Sequence, residues 1–201
     1  MAKRSSNLPP DLQEVGSILG QLQNESDRGA ALIGAALVDD SLSHYIRAKF
    51  IDDEKSVDEL IIGDVPLGTF SAKIKLVYCM GWIGANLRAD LDRVRSIRND
   101  FAHNRSGLTF ETNSIKDRCS QLYTIRVHNQ FSVSAVVTAR EAFSYACTFI
   151  SGYFISLTDR STQPKTSPGN AHDLYVKRVT EQIDQMTITT LLDRLEASEN
   201  D

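Results

Sequence analysis

Residues 95–107, RSIRNDFAHNRSG, bring Arg98, Asn99, Asp100 and His103 close together along the chain. An arginine is a fixed cation that can stabilise charge developing on a phosphate. A histidine carries protons near neutral pH. With an amide beside them, these groups suit the binding of a phosphate or the cleavage of RNA. The same run also suits the end of an ordinary helix, where a histidine interacts favourably with the helix dipole and can bond free carbonyls.

The element that must position them is a helix over about 87–105, with Gly107 as a natural stop. At roughly 100° per residue, Leu87, Leu91, Val94 and Phe101 share one arc, and Arg98 falls inside it. A charge on a core-facing stripe is costly unless it is paired and hydrogen-bonded. Arg98 is therefore expected to meet a carboxylate, with Asp27, Asp39, Asp40 and Asp64 as candidates, or a helix C-terminus, or to face a cleft that admits an anion, or to turn out to solvent. His103 falls well away from Arg98 on the wheel. The two converge only where the helix loosens or where a second chain completes the site. Asp27 and Arg28 form a polar pair at the head of an apolar run, and with Asp39 and Asp100 they are candidates for structural or ligand contacts. Arg93, Arg95, Arg98 and Arg105 make a local basic strip that could hold a nucleic-acid backbone. Asp90, Asp92 and Asp100 interrupt it, and alternating charges mark a solvated helix face.

Other chemistries find no support. The chain has no phosphate-binding glycine loop, no HExxH and no nucleophile elbow, so no cofactor is expected. The four histidines, at 44, 103, 128 and 172, lack ligand spacing, and no metal site is expected. Asp39-Asp40 and Asp52-Asp53-Glu54 read as helix-surface and cap residues. Cys79, Cys119 and Cys147 form no metal pairing; Cys79 and Cys147 sit in apolar runs and read as buried hydrophobes. Unpaired thiols fit a reducing cytoplasm. No apolar run is long enough for a membrane span, and the N-terminus does not read as a signal peptide.

The chain has 201 residues, 41% hydrophobic and 24% charged, with a net charge of −4. That is an ordinary globular composition. The acidic balance argues against a dedicated DNA-binding protein, and no basic recognition helix is found. The pattern predicts an all-α helical bundle: an arm over 1–10, a helical domain over 11–158, and a loop with one or two amphipathic helices over 159–201. A first helix starts at Asp11. A second, capped by Ser26 or Asp27, runs to Phe50 with a small early face, Gly29, Gly34 and several alanines, that lets another helix approach closely. A short helix around Val57–Leu60, a turn at GDVPLG, a helix restarting at Ser71 with Ile74, Val77, Tyr78 and Trp82 inward, and an apolar helix from about Ser134 to Leu157 complete the bundle. LTFET reads as a strand or an extended loop, and YTIRVHNQFSV is ambiguous. Tyr145, Phe149, Tyr153 and Phe154 lie at helical spacing and suit a core or a dimer interface.

Two resemblances meet in this sequence. ESDRGAALIGAALVDDSLSHYIRAKF and PLGTFSAKIKLVYCMGWIGANLRADLDRVRSIRNDFAHN resemble two successive blocks of the mannitol operon repressor family. That resemblance implies an all-α fold and a regulatory role exercised through a protein partner, in a protein that forms a homodimer. RNDFAH also resembles the R-x4-6-H signature of the HEPN superfamily, which includes metal-independent ribonucleases. Carried over, Arg98 stabilises the transition state, His103 moves protons and Asn99 orients them, at a site built across a dimer.

Overall fold

The computed structural model describes residues 20–103, 107–131 and 138–158. All of these fall in the first of two units of the chain, Met1–Gln163. The predicted arm, most of the predicted first helix, residues 132–137 and the predicted C-terminal helices lie outside the described residues.

The described residues form α1 (Asp27–Lys49), α2 (Glu54–Ile61), α3 (Phe70–Cys79), α4 (Ala85–His103), α5 (Asn113–Ser120), α6 (Tyr123–Phe131) and α7 (Ala139–Thr158), and they contain no strand. The all-α reading therefore holds. LTFET is a turn, and the ambiguous run becomes helix α6 with the preceding NSIKDRCS as α5.

Local sequence fixes most helix starts. The Ser26 side chain accepts a bond from Gly29 N–H at 3.0 Å and so caps α1. Asp53 does the same for α2 through Ser56, and Thr69 for α3 through Ala72. At α7 the hydroxyl of Thr138 accepts from Glu141 N–H at 3.1 Å, while the Glu141 carboxylate accepts from Thr138 N–H at 3.0 Å. This reciprocal pair is a capping box.

Helix α1 is the central element and packs along α7. Ala30, Ala31, Ala35 and Val38 are buried on its small face. A Cβ on Gly34 would sit 3.1 Å from the Phe143 ring and 3.2 Å from Cys147 Sγ, so the predicted close approach is real and its partner is α7. Behind it, Phe101 of α4, Phe110 of the following turn and Phe143 of α7 stack in series at 5.1 and 5.4 Å between ring centroids. Tyr45 meets Phe154 at one end of the bundle, and Trp82 packs edge-on against Tyr45. Cys147 and Cys119 are buried, but Cys79 is exposed at the last turn of α3, which corrects the expectation that it is a core residue. The apolar run around it reflects Ile74 and Val77, which are buried on the opposite side of that short helix.

Candidate functional site

Helix α4 is regular through His103. Its buried stripe is Asp90, Leu91, Val94, Ile97 and Phe101. Arg98 is exposed, a correction to its expected place on the core side. Ile97 is fully buried and widens the core-facing arc on the side away from Arg98.

Among the described residues Arg98 forms no ion pair. Its Nη1 donates to the side-chain oxygen of Asn99 at 3.2 Å. The four proposed acidic partners do other work or lie elsewhere. Asp27 accepts from Phe110 N–H at 2.9 Å and pairs with Arg140 at 2.8 Å. Arg140 also donates to the carbonyls of Leu22, Gln23 and Glu25, so it ties the chain before α1 to α7. Asp39 pairs with the buried Lys73 at 2.7 Å, and Lys73 donates to Ser43 at 2.8 Å. Asp40 sits beside His44 on the surface, and Asp64 is in the turn before α3. Asp100 pairs with Arg118, which also donates to Ser96 at 2.7 Å and joins α5 to α4.

Arg28 donates to the carbonyl of Ala102 at 3.1 Å. It thus satisfies an end carbonyl of α4, a role that the sequence reading had offered to His103. His103 is exposed at the last helical position. Five residues of regular helix turn its side chain roughly 140° away from Arg98. One chain therefore brings Arg98 and Asn99 together and leaves His103 apart from them.

Arg98 and Asn99 open onto a cleft of about 530 Å³. Helix α1 contributes Leu32, Ala35, Ala36 and Asp39; Gly68, Thr69, Phe70 and Ser71 come from the start of α3; and Arg95 joins the α4 wall. Gly68 is required here: a Cβ would lie 2.0 Å from the carbonyl oxygen of Gly63. The PLG turn can fold back on itself only without a side chain at this position.

The α4 residue that sequence reasoning missed is Asp90. It is fully buried, where its place in an alternating charge pattern suggested a solvated face. Its carboxylate accepts from Tyr123 N–H, Thr124 N–H and the Thr124 hydroxyl, each at 2.8 Å, and from Arg93 at 3.1 Å. It caps α6 from another helix, supplying acceptors for amides that α6 cannot satisfy itself. The one available signal was Ile97, which widens the apolar arc on the Asp90 side.

A second surface lies on α6 and α7. Phe149 is 42% exposed and Tyr153 45%. They border an apolar groove of about 500 Å³ with Tyr123, Leu87 and Val127. His128 stacks on Tyr145 at 5.9 Å and lies 5.1 Å from Phe149, which extends the aromatic stripe. Of the group expected in a core or an interface, Phe154 is core and Phe149 and Tyr153 face outward. No group of described acidic, histidine or cysteine residues could hold a metal ion. Among the described residues no helix is long and apolar enough to cross a membrane.

Comparison with known proteins places this architecture. The structure is similar to that of MtlR in the MtlR–HPr complex from Escherichia coli, with 17% identity, a TM-score of 0.56, and coverage of 75% of this chain and 99% of that one. It is also similar to YggD of Shigella flexneri, described as a possible transcriptional regulator, with 13% identity, a TM-score of 0.56, and coverage of 70% and 97%. No curated protein matches the sequence. These likenesses establish the fold. A family model described as the mannitol repressor matches residues 15–150, well over half of the sequence, and the chain belongs to that family.

Proposed function

We propose that this protein is a cytoplasmic regulator that acts by binding a protein partner, with HPr as the first candidate, and that it does so without reading DNA directly. The carrying observation is the aromatic groove. Large exposed aromatics rimming an apolar depression favour protein contact, because they bury much area at little cost in conformational freedom. The structural relative solved in complex with HPr supports HPr as the first partner to test. The arginines of α4 argue against a DNA-reading surface. Arg93 pairs with Asp90, and Arg88 and Arg95 both lie near Asp92, so the face is not uniformly basic. Three free cysteines suit a reducing compartment.

The test is calorimetric titration of the chain with HPr, repeated with Phe149→Ala and Tyr153→Ala. Binding that weakens at least tenfold in the variants supports the reading. Absence of HPr binding by the intact chain refutes that partner. Sedimentation of the free chain separates a second outcome, in which the groove is the homodimer interface and the same variants are monomers. The ribonuclease reading needs two chains to unite Arg98, Asn99 and His103. Metal-free RNA cleavage that His103→Ala abolishes would establish it.

A further inference from the structure

We infer that the cleft between α1, α3 and α4 binds the phosphate group of a small phosphomonoester. This goes beyond the partner-binding reading and does not rest on it.

Arg95 and Arg98 are one turn apart and both line the cleft. Among the described residues Arg98 has no carboxylate partner, and Arg95 has one, Asp92, in a long ion pair. Among the described residues Arg98 hydrogen-bonds the neutral amide of Asn99, at 3.2 Å. Arg95 lies 3.7 Å from Asp92, and its Nε is buried with no acceptor among the described residues. The enclosed Nε is out of reach of the cleft, so an anion there would meet the terminal guanidinium nitrogens of Arg95, on a side chain 33% exposed.

The facing wall is the start of α3, a ten-residue helix. Thr69 occupies one amide, that of Ala72, and no acid stands in the first turn. The amides of Phe70 and Ser71 are the remaining first-turn donors, at the positive end of the helix. Asp39, the one carboxylate lining the cleft among the described residues, is neutralised by Lys73 at 2.7 Å. The local balance is thus positive in a chain whose net charge is −4.

A phosphate dianion has three terminal oxygens and matches planar guanidinium forks and helix amides better than a carboxylate does. Leu32, Ala35 and Phe70 give the cleft apolar lining for a short organic skeleton. Its volume of about 530 Å³ suits a small molecule. An RNA strand fits less well, because Asp92 and Asp100 lie on the same helix beside the arginines.

The experiment is titration of the full chain with inorganic phosphate and with glucose 6-phosphate, at constant ionic strength in chloride, with glucose as the neutral control. Calorimetry and thermal shift provide the readouts. Both phosphates should bind saturably and glucose should not. Charge-assisted hydrogen bonds of this kind imply at least tenfold weaker binding in Arg98→Gln and in Arg95→Gln. Arg88→Gln, on the same helix outside the cleft, should bind like wild type. Circular dichroism checks that each variant is folded; Arg98 is exposed, so its variant keeps the test available if Arg95→Gln unfolds. The inference is overturned by no saturable binding of either phosphate, by exclusion of glucose 6-phosphate where inorganic phosphate binds, by wild-type affinity in Arg98→Gln, or by an equal loss in Arg88→Gln.

Discussion

Removing the Asp90 carboxylate should destabilise the protein far more than removing Asp92, two residues away on the same helix. Asp90 is 0% exposed and supplies the acceptors for two backbone amides and one hydroxyl at the start of α6. In Asp90→Ala those donors lose their partner in a dry site, at about 1–3 kcal/mol for each stranded group. Two effects keep the total below the simple sum. The carboxylate's own desolvation cost disappears, and Arg93, whose side chain is 27% exposed, recovers water. A net loss of about 3 kcal/mol follows, at the lower end of the range for breaking a buried charged pair. For a chain of this size that corresponds to a fall in Tm of about 6–12 °C. Asp92, with a side chain 44% exposed and ion pairs at 3.7 and 3.9 Å, should cost about 0.5 kcal/mol or less. Asp90→Asn should fall between the two, since one carboxamide oxygen can serve only part of the donor set. Urea unfolding followed by circular dichroism measures all three. Equal midpoints for Asp90→Ala and Asp92→Ala would refute the assignment of Asp90 as the anchor of α6.

Gly34→Val should destabilise by about 1–3 kcal/mol in the same assay, because the side chain meets Phe143 and Cys147 at the α1–α7 contact. Asp27→Ala should cost about 2–4 kcal/mol, since it strands Phe110 N–H and frees Arg140 from its carboxylate; no change in the urea midpoint would refute this role. In the native protein a thiol reagent at neutral pH should label Cys79 quickly and should label Cys119 and Cys147 only after unfolding. Burial pushes the Cys119 thiol from 9.0 up to about 12. Between those values the unfolded chain has released this proton and the folded chain has not, so Cys119's contribution to stability is complete below about pH 9 and falls as pH rises toward 12. A Cys119→Ala variant should show a shallower loss of stability over that interval than the parent.

Much of the fold was legible because its signals are local. Ser26, Asp53 and Thr69 precede their helices at cap positions and do cap them. The small face of α1 announced a close helix contact, and Gly34 makes one. The least legible run, 108–131, has short helices with polar faces. Asp27 holds the turn before α5 and Asp90 the start of α6, and both are well separated from these runs in sequence. At the candidate site the motif residues were visible but their surroundings were not. Lys73 neutralises Asp39 and Arg140 engages Asp27, so two proposed partners of Arg98 were already committed elsewhere.

By itself the sequence determined the helical periods, most of the caps, the PLG turn and the family. These depend on neighbours a few residues apart, where backbone geometry leaves little choice. It could not decide between Asp90 and Arg98. Centred on its apolar residues with Ile97 included, the α4 stripe places these two charges at roughly equal angles on either side. Tertiary packing broke the tie. The start of α6 closes over Asp90 and offers it three donors, which makes a buried carboxylate tolerable. On the other side a cleft remains beside α3, and Arg98 keeps its charge in contact with water.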